Sequence, residues 1–145
     1  MISVRIRRLH PSVPLPQYQT AGAAGFDLAA SEDVVVAPSS IALIPTGLVI
    51  QVPAGHFLGV FARSSTPLKR GLMVANGVGV IDRDYCGPED EIKIQVLNFT
   101  AQPVQVKQGD RLAQGLFLPV TQARWEEPEG DLRDGSRGGF GATGR

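Results

Sequence analysis

"SIALIPTGLVIQVPAGHFLGVFARSS", residues 40–65, decides the fold. Branched and aromatic side chains crowd it in short apolar runs without a 3.6-residue recurrence, and "VPAGH" breaks it as a turn. It reads as one long strand over 40–50, a turn, and a second strand over 56–62. Outward in both directions the pattern repeats, predicting strands over 2–9, 25–29, 33–36, 71–74, 78–81, 91–98, 104–106 and 111–119, with "KQGDR" as a further turn. So many short, closely spaced strands predict an all-β chain, a jelly-roll-like sandwich or barrel. One segment departs from the pattern. Over 64–71, Ser64 or Ser65 can cap and Pro67 suits a first helical position, which predicts one or two helical turns.

The 145 residues suit one domain with a real core. Fourteen basic and fourteen acidic residues cancel, so there is no broad positive field for nucleic acid or an anionic membrane, and any anion must be met locally. Cys86 is alone and the N-terminus lacks an apolar export region, so a reducing cytoplasm is expected. No apolar run approaches the ~20 residues that span a bilayer. After Val120, "TQARWEEPEGDLRDGSRGGFGATGR" exchanges branched residues for Gly, Pro and charge. The expected division is a β-rich core over 1–120 and a C-terminal arm over 121–145 that stays loose until something binds it.

Several stretches carry groups suited to chemistry. "NGVGVIDRDYCG", residues 76–87, is a turn between core strands on the plainest view. It also holds glycines that let a backbone approach a ligand, Asn76 to read a base edge, Tyr85 to stack, and Asp82 or Asp84 as a general base. In "FARSSTPLKRG", Arg63 precedes two hydroxyls, either a surface arginine beside a helix cap or a set matched to phosphate oxygens. "QGDRLAQ" reads as a turn at Gly109 and Asp110 and the start of a strand over Arg111 to Gln114, a plain hairpin. Asp27 in "AAGFDLAA" is a structural acceptor or a functional carboxylate. The glycine-rich end is a disordered terminus, or a wrap that offers N–H groups to phosphate.

Taken together and in this order, "AAGFDLAA", "ARSS", "NGVGVIDRDY", "GDRLAQ" and "GGFGATG" resemble the trimeric dUTPase family from about residue 24 to residue 143. The resemblance implies a jelly-roll subunit in a homotrimer, with each site built from more than one chain. It implies hydrolysis of dUTP to dUMP and pyrophosphate with Mg²⁺, limiting uracil in DNA and supplying dUMP for thymidylate synthesis. Asp82 matches the carboxylate that activates water against the α-phosphorus. Asn76, Gly77 and Val80 match the hairpin that reads uracil, and Tyr85 the ring that leaves no room for a 2′-hydroxyl. Phe140 matches a ring that covers the base. Arg63, Ser64, Ser65, Gln114, Arg137, Gly139, Gly141 and Thr143 match phosphate contacts, and Asp27 a supporting carboxylate near them. A triphosphate holds Mg²⁺ largely through its own oxygens and water, so no direct protein ligand is expected.

Two features depart from the family pattern. Pro88, Glu89 and Asp90 lengthen the turn after "DYCG", where many members pass directly from Gly to Glu. "SRGGFG" is also short, which puts Arg137 two positions closer to Phe140 than usual. The rival enzyme is dCTP deaminase, or a bifunctional deaminase and triphosphatase, but the place for its water-activating glutamate holds Gln95. A rival of another class is a non-catalytic nucleotide-sensing trimer, against which an intact Asp82 argues.

Overall fold

The computed structural model describes residues 1–140. Eleven strands and one short helix follow one another: β1 (Arg5–Arg8), β2 (Phe26–Ala29), β3 (Val34–Val36), β4 (Ile41–Pro45), β5 (Leu48–Gln51), β6 (His56–Ala62), α1 (Ser65–Arg70), β7 (Leu72–Val74), β8 (Gly79–Ile81), β9 (Lys93–Asn98), β10 (Val104–Val106) and β11 (Arg111–Pro119). All pairings are antiparallel: a four-stranded sheet β2-β11-β6-β8, a three-stranded sheet β4-β9-β7, and two ribbons, β1-β5 and β10-β3. The all-β, jelly-roll-like architecture expected from the strand pattern is present.

Alternation builds the core. In β9 every second residue, Ile94, Val96 and Asn98, is buried, and in β6 and β11 Leu58, Val60, Leu112 and Ala113 turn inward to meet Ile44, Ile50 and Leu72 in one cluster. Burying each such aliphatic side chain contributes ~1.5–3 kcal/mol. Asn98 is tolerated there because all its polar capacity is used. Its amide donates to the carbonyls of Val36 and Gln102 at 3.0 and 2.7 Å, and its oxygen accepts from the Thr100 N–H at 2.9 Å. That closes the turn from β9 towards β10.

The expected strand over 40–50 is in fact two, β4 and β5, which lie in different sheets. Gly47 has φ +68°, a left-handed conformation that a side chain strains, and a Cβ there would come within 2.6 Å of Val13. The bend is fastened from a distance: Thr46 Oγ1 donates to the Ile92 carbonyl at 2.6 Å, and the Gly47 N–H donates to Glu91 Oε1 at 2.7 Å. The first strand is also shorter than 2–9, and the ends of β2, β3, β8 and β9 each draw in by a residue or two.

The helix is where the sequence places it, but its cap is not. The Ser64 side chain makes no capping bond, and Pro67 lies inside the first turn rather than at its first position. What holds α1 is tertiary. Buried Thr66 donates to the Leu112 carbonyl at 2.7 Å, and Arg70 grips Asp110 through two bonds of 2.7 and 3.0 Å. Gly71, at φ +66°, ends the helix with its N–H on the Pro67 carbonyl.

Candidate active site

Where β6 leaves the sheet, Arg63, Ser64 and Ser65 stand at the start of α1, and neighbouring strands bring Asp27 and Gln114 alongside. Asp27 and Gln114 are direct cross-strand partners of β2 and β11, and Gln114 is also paired with Phe61 of β6. The Gln114 amide donates to the Ala62 carbonyl at 3.0 Å, fixing that side chain one residue from Arg63. Asp27 is pinned between two guanidinium groups: Arg63 Nε at 2.9 Å and Arg111 Nη1 at 3.0 Å. Arg63 donates further to the Arg111 carbonyl at 3.2 Å.

Two guanidinium groups against one carboxylate leave one positive charge in excess, beside two hydroxyls and a helix start. That is a local concentration of positive charge and hydrogen-bond donors on a chain with no net charge. Arg111 was not among the expected site residues. A register shift between Arg111 and Ala113 re-aims it onto Asp27, and the two face a cleft of about 430 Å³ closed by residues 12–19. The signal for Arg111 lies inside "GDRLAQ", three positions before Gln114.

Asp110 of the same motif is structural. Its hydrogen bonds from Arg70, and then from the Lys107 N–H, hold its carboxyl below the ordinary 3.8 against the opposing effect of burial. Together with Thr66 it sets α1 against β11, and so sets Ser64 and Ser65 relative to Gln114.

The second group of expected residues lies on the hairpin around β8. Gly77, at φ +73°, forms the turn with its N–H on the Val74 carbonyl, and Asn76 stands exposed on it. Gly79 pairs with Val60, where a Cβ would come within 3.0 Å of the valine Cβ, so the close approach of β8 to β6 crowds any side chain there. Val80 is exposed, and Asp82 follows at the end of the strand in an open cleft of about 1130 Å³ shared with His56, Phe57 and Val120. Tyr85 is 40% exposed and its hydroxyl donates to the Glu91 carbonyl at 3.1 Å.

Within one chain these two groups do not meet. Ile81 pairs with Leu58 near the start of β6, whereas Arg63 follows the last residue of that strand. Asp82 and Arg63 are therefore separated by about 20 Å of extended strand at 3.3 Å per residue. Residues 121–140 are exposed throughout, including Arg137, Gly139 and Phe140, and among the described residues the Phe140 ring packs on no other ring. Gly141 and Thr143 lie outside the described residues.

Residues 12–144 match the dUTPase family profile. The deoxyuridine 5′-triphosphate nucleotidohydrolase of Anaeromyxobacter sp. is 41% identical, with 99% of both chains covered. That of Desulfitobacterium hafniense is 50% identical over 90% of this chain and 87% of its own. Among solved structures, a dUTPase from Streptococcus mutans superposes with a TM-score of 0.77 at 36% identity, covering 86% of this chain and all of that one. The fold is also that of the Staphylococcus bacteriophage 80alpha dUTPase solved with dUPNHPP, with a TM-score of 0.85, 21% identity and 99% of both chains covered.

Proposed function

The chain belongs to the dUTPase family and is a dUTP diphosphatase; from that premise we propose how its residues divide the work. Asp82 takes a proton from water as it attacks the α-phosphorus, so that dUMP and pyrophosphate separate. A carboxylate serves here without a protein nucleophile, because the reaction depends on positioning and on stabilising charge. Asn76, Gly77 and Val80 read the uracil edge, and the Tyr85 ring fills the space a 2′-hydroxyl would need. Arg63, Ser64, Ser65 and Gln114 hold phosphate oxygens, with Arg111 added to them. Asp27 keeps both guanidinium groups aimed. Its carboxylate is occupied by those arginines, which suits a supporting role better than a metal ligand's.

The observation that carries this reading is the division of the site. One anion-binding corner and one water-activating hairpin lie at opposite ends of β6, so a complete site needs Asp82 from one copy and Arg63 from another. A homotrimer supplies that arrangement, with residues 121–145 as an arm over a neighbouring site: Phe140 on the base, and Arg137, Gly139, Gly141 and Thr143 on the phosphates. An apolar row of Ile41, Leu97 and Met73 across the outer face of β4-β9-β7 is available for a second copy to cover. The described residues hold no group of three or more carboxylate, histidine or cysteine side chains arranged for a metal. Mg²⁺ would be carried on the triphosphate and its waters, where it would neutralise phosphate charge. The cell compartment proposed is the cytoplasm; no helix among the described residues is long and apolar enough to cross a membrane.

The reading is tested by incubating the protein with dUTP, dCTP, dTTP and UTP in the presence of Mg²⁺. Pyrophosphate from dUTP alone is expected. Ammonia from dCTP would mean a deaminase, and no release from any of the four would mean a nucleotide sensor.

A further inference from the structure

Between Tyr85 and β9 runs a turn that the proposed chemistry leaves unused, and it is the most heavily fastened loop near the hairpin. The Gly87 N–H donates to Asp90 Oδ2 at 2.6 Å, and the Asp90 N–H returns to the Gly87 carbonyl at 3.3 Å. The Glu91 N–H donates to the Glu89 carbonyl at 2.9 Å, while the Glu91 carboxylate accepts the Gly47 N–H at 2.7 Å. From β1, the Arg7 guanidinium donates to the carbonyl of Pro88, 81 positions away. Arg7 is itself held in register opposite Val49 of β5, two residues from Gly47. The turn is thus braced by a carboxylate from within and by a cation from the neighbouring ribbon.

The braced turn ends on the carbonyl that receives the Tyr85 hydroxyl. Tyr85 is 40% exposed and its ring packs on no other ring among the described residues, so the hydroxyl bond helps fix where the ring stands. We propose that Arg7 and Asp90 are positioning residues that brace the Gly87–Glu91 turn and, through the Glu91 carbonyl, hold the Tyr85 ring where it refuses a ribonucleotide. This rests on the reading of Tyr85 as the ring against the sugar. Exclusion of one hydroxyl works by occupied volume, so a ring that can give way admits it. Neither Arg7 nor Asp90 touches a reacting atom, so loosening them should cost selectivity before turnover.

The test is the ratio of kcat/KM for dUTP to that for UTP, measured on the full-length protein, with thermal melts run beside it. One small group refused by a pocket's volume is worth ~10- to 200-fold in discrimination, so partial loosening in Arg7→Gln and in Asp90→Ala should lower the ratio about tenfold and change kcat on dUTP by less than about twofold. Arg7→Lys keeps a donor and Asp90→Asn keeps an acceptor, so each should restore most of the ratio; where Asp90→Ala melts early, Arg7→Gln carries the test. An unchanged ratio in Arg7→Gln and the Asp90 variant, with Tyr85→Ala losing selectivity, would overturn the brace and leave the sugar reading intact. A Tyr85→Ala protein that still refuses UTP would overturn the sugar reading and the brace with it.

Discussion

Consider two inactive proteins, Asp82→Asn and Arg63→Ala, each crippled in a different part of the site. On the sheet these residues stand at opposite ends of β6, separated by about 20 Å of extended strand at 3.3 Å per residue. If every site draws Asp82 from one copy and Arg63 from another, a mixed oligomer contains sites where both are intact. Random assembly from equal amounts makes about one site in four whole, because each of the two contributing copies is the right one half the time. Loss of the general base leaves Asp82→Asn ~10²- to 10⁴-fold down. Arg63→Ala, which removes one of the two cations beside Asp27, should be low as well. Co-refolded equal mixtures should then recover about a quarter of wild-type pyrophosphate release, far above either parent refolded alone. A mixture no more active than the mean of its parents, while native mass spectrometry shows mixed oligomers, would refute the divided site.

Three shorter predictions follow from the same geometry. Asp82→Asn should lower kcat ~10²- to 10⁴-fold while nucleotide binding, followed by calorimetry, persists; near-normal turnover would remove Asp82 from its role. Thr66→Val leaves the Leu112 carbonyl buried without its 2.7 Å donor and should destabilise the protein by about 1–3 kcal/mol, read as a lower midpoint in urea. Asp110 has its folded pKa depressed by Arg70, so the bond adds stability above the ordinary 3.8 that is lost as pH falls through the folded value. Asp110→Asn should accordingly flatten the acid side of a stability profile below about pH 4, and an unchanged slope there would contradict the linkage.

Strand positions were legible because alternation and turn residues are local signals: β6 and β11 lie where the pattern put them. The division of residues 40–50 was not, since Pro45, Thr46 and Gly47 sit in an apolar run. The groups that fasten the bend, Glu91 and Ile92, come from 44 and 46 positions along the chain. The helix cap misled for a similar reason. Ser64 looks like a cap, yet α1 is anchored by Thr66 and Arg70 to the turn and strand that carry Asp110 and Leu112. In the site, Asp27, Arg63 and Gln114 were all marked by their motifs and do converge. Arg111 escaped because its aim depends on a register shift and on a carboxylate 84 positions away. Arg137 and Phe140 lie in a segment exposed throughout 121–140, where no alternation or turn signal fixes a contact.

The most direct measurement of the central claim is hydrolysis of dUTP in H₂¹⁸O, with both products weighed by mass spectrometry. Water activated by Asp82 and attacking the α-phosphorus puts the heavy oxygen in dUMP and leaves pyrophosphate unlabelled. Label in pyrophosphate, with unlabelled dUMP, would mean attack at the β-phosphorus and would contradict the roles assigned to Asp82 and the phosphate-binding corner.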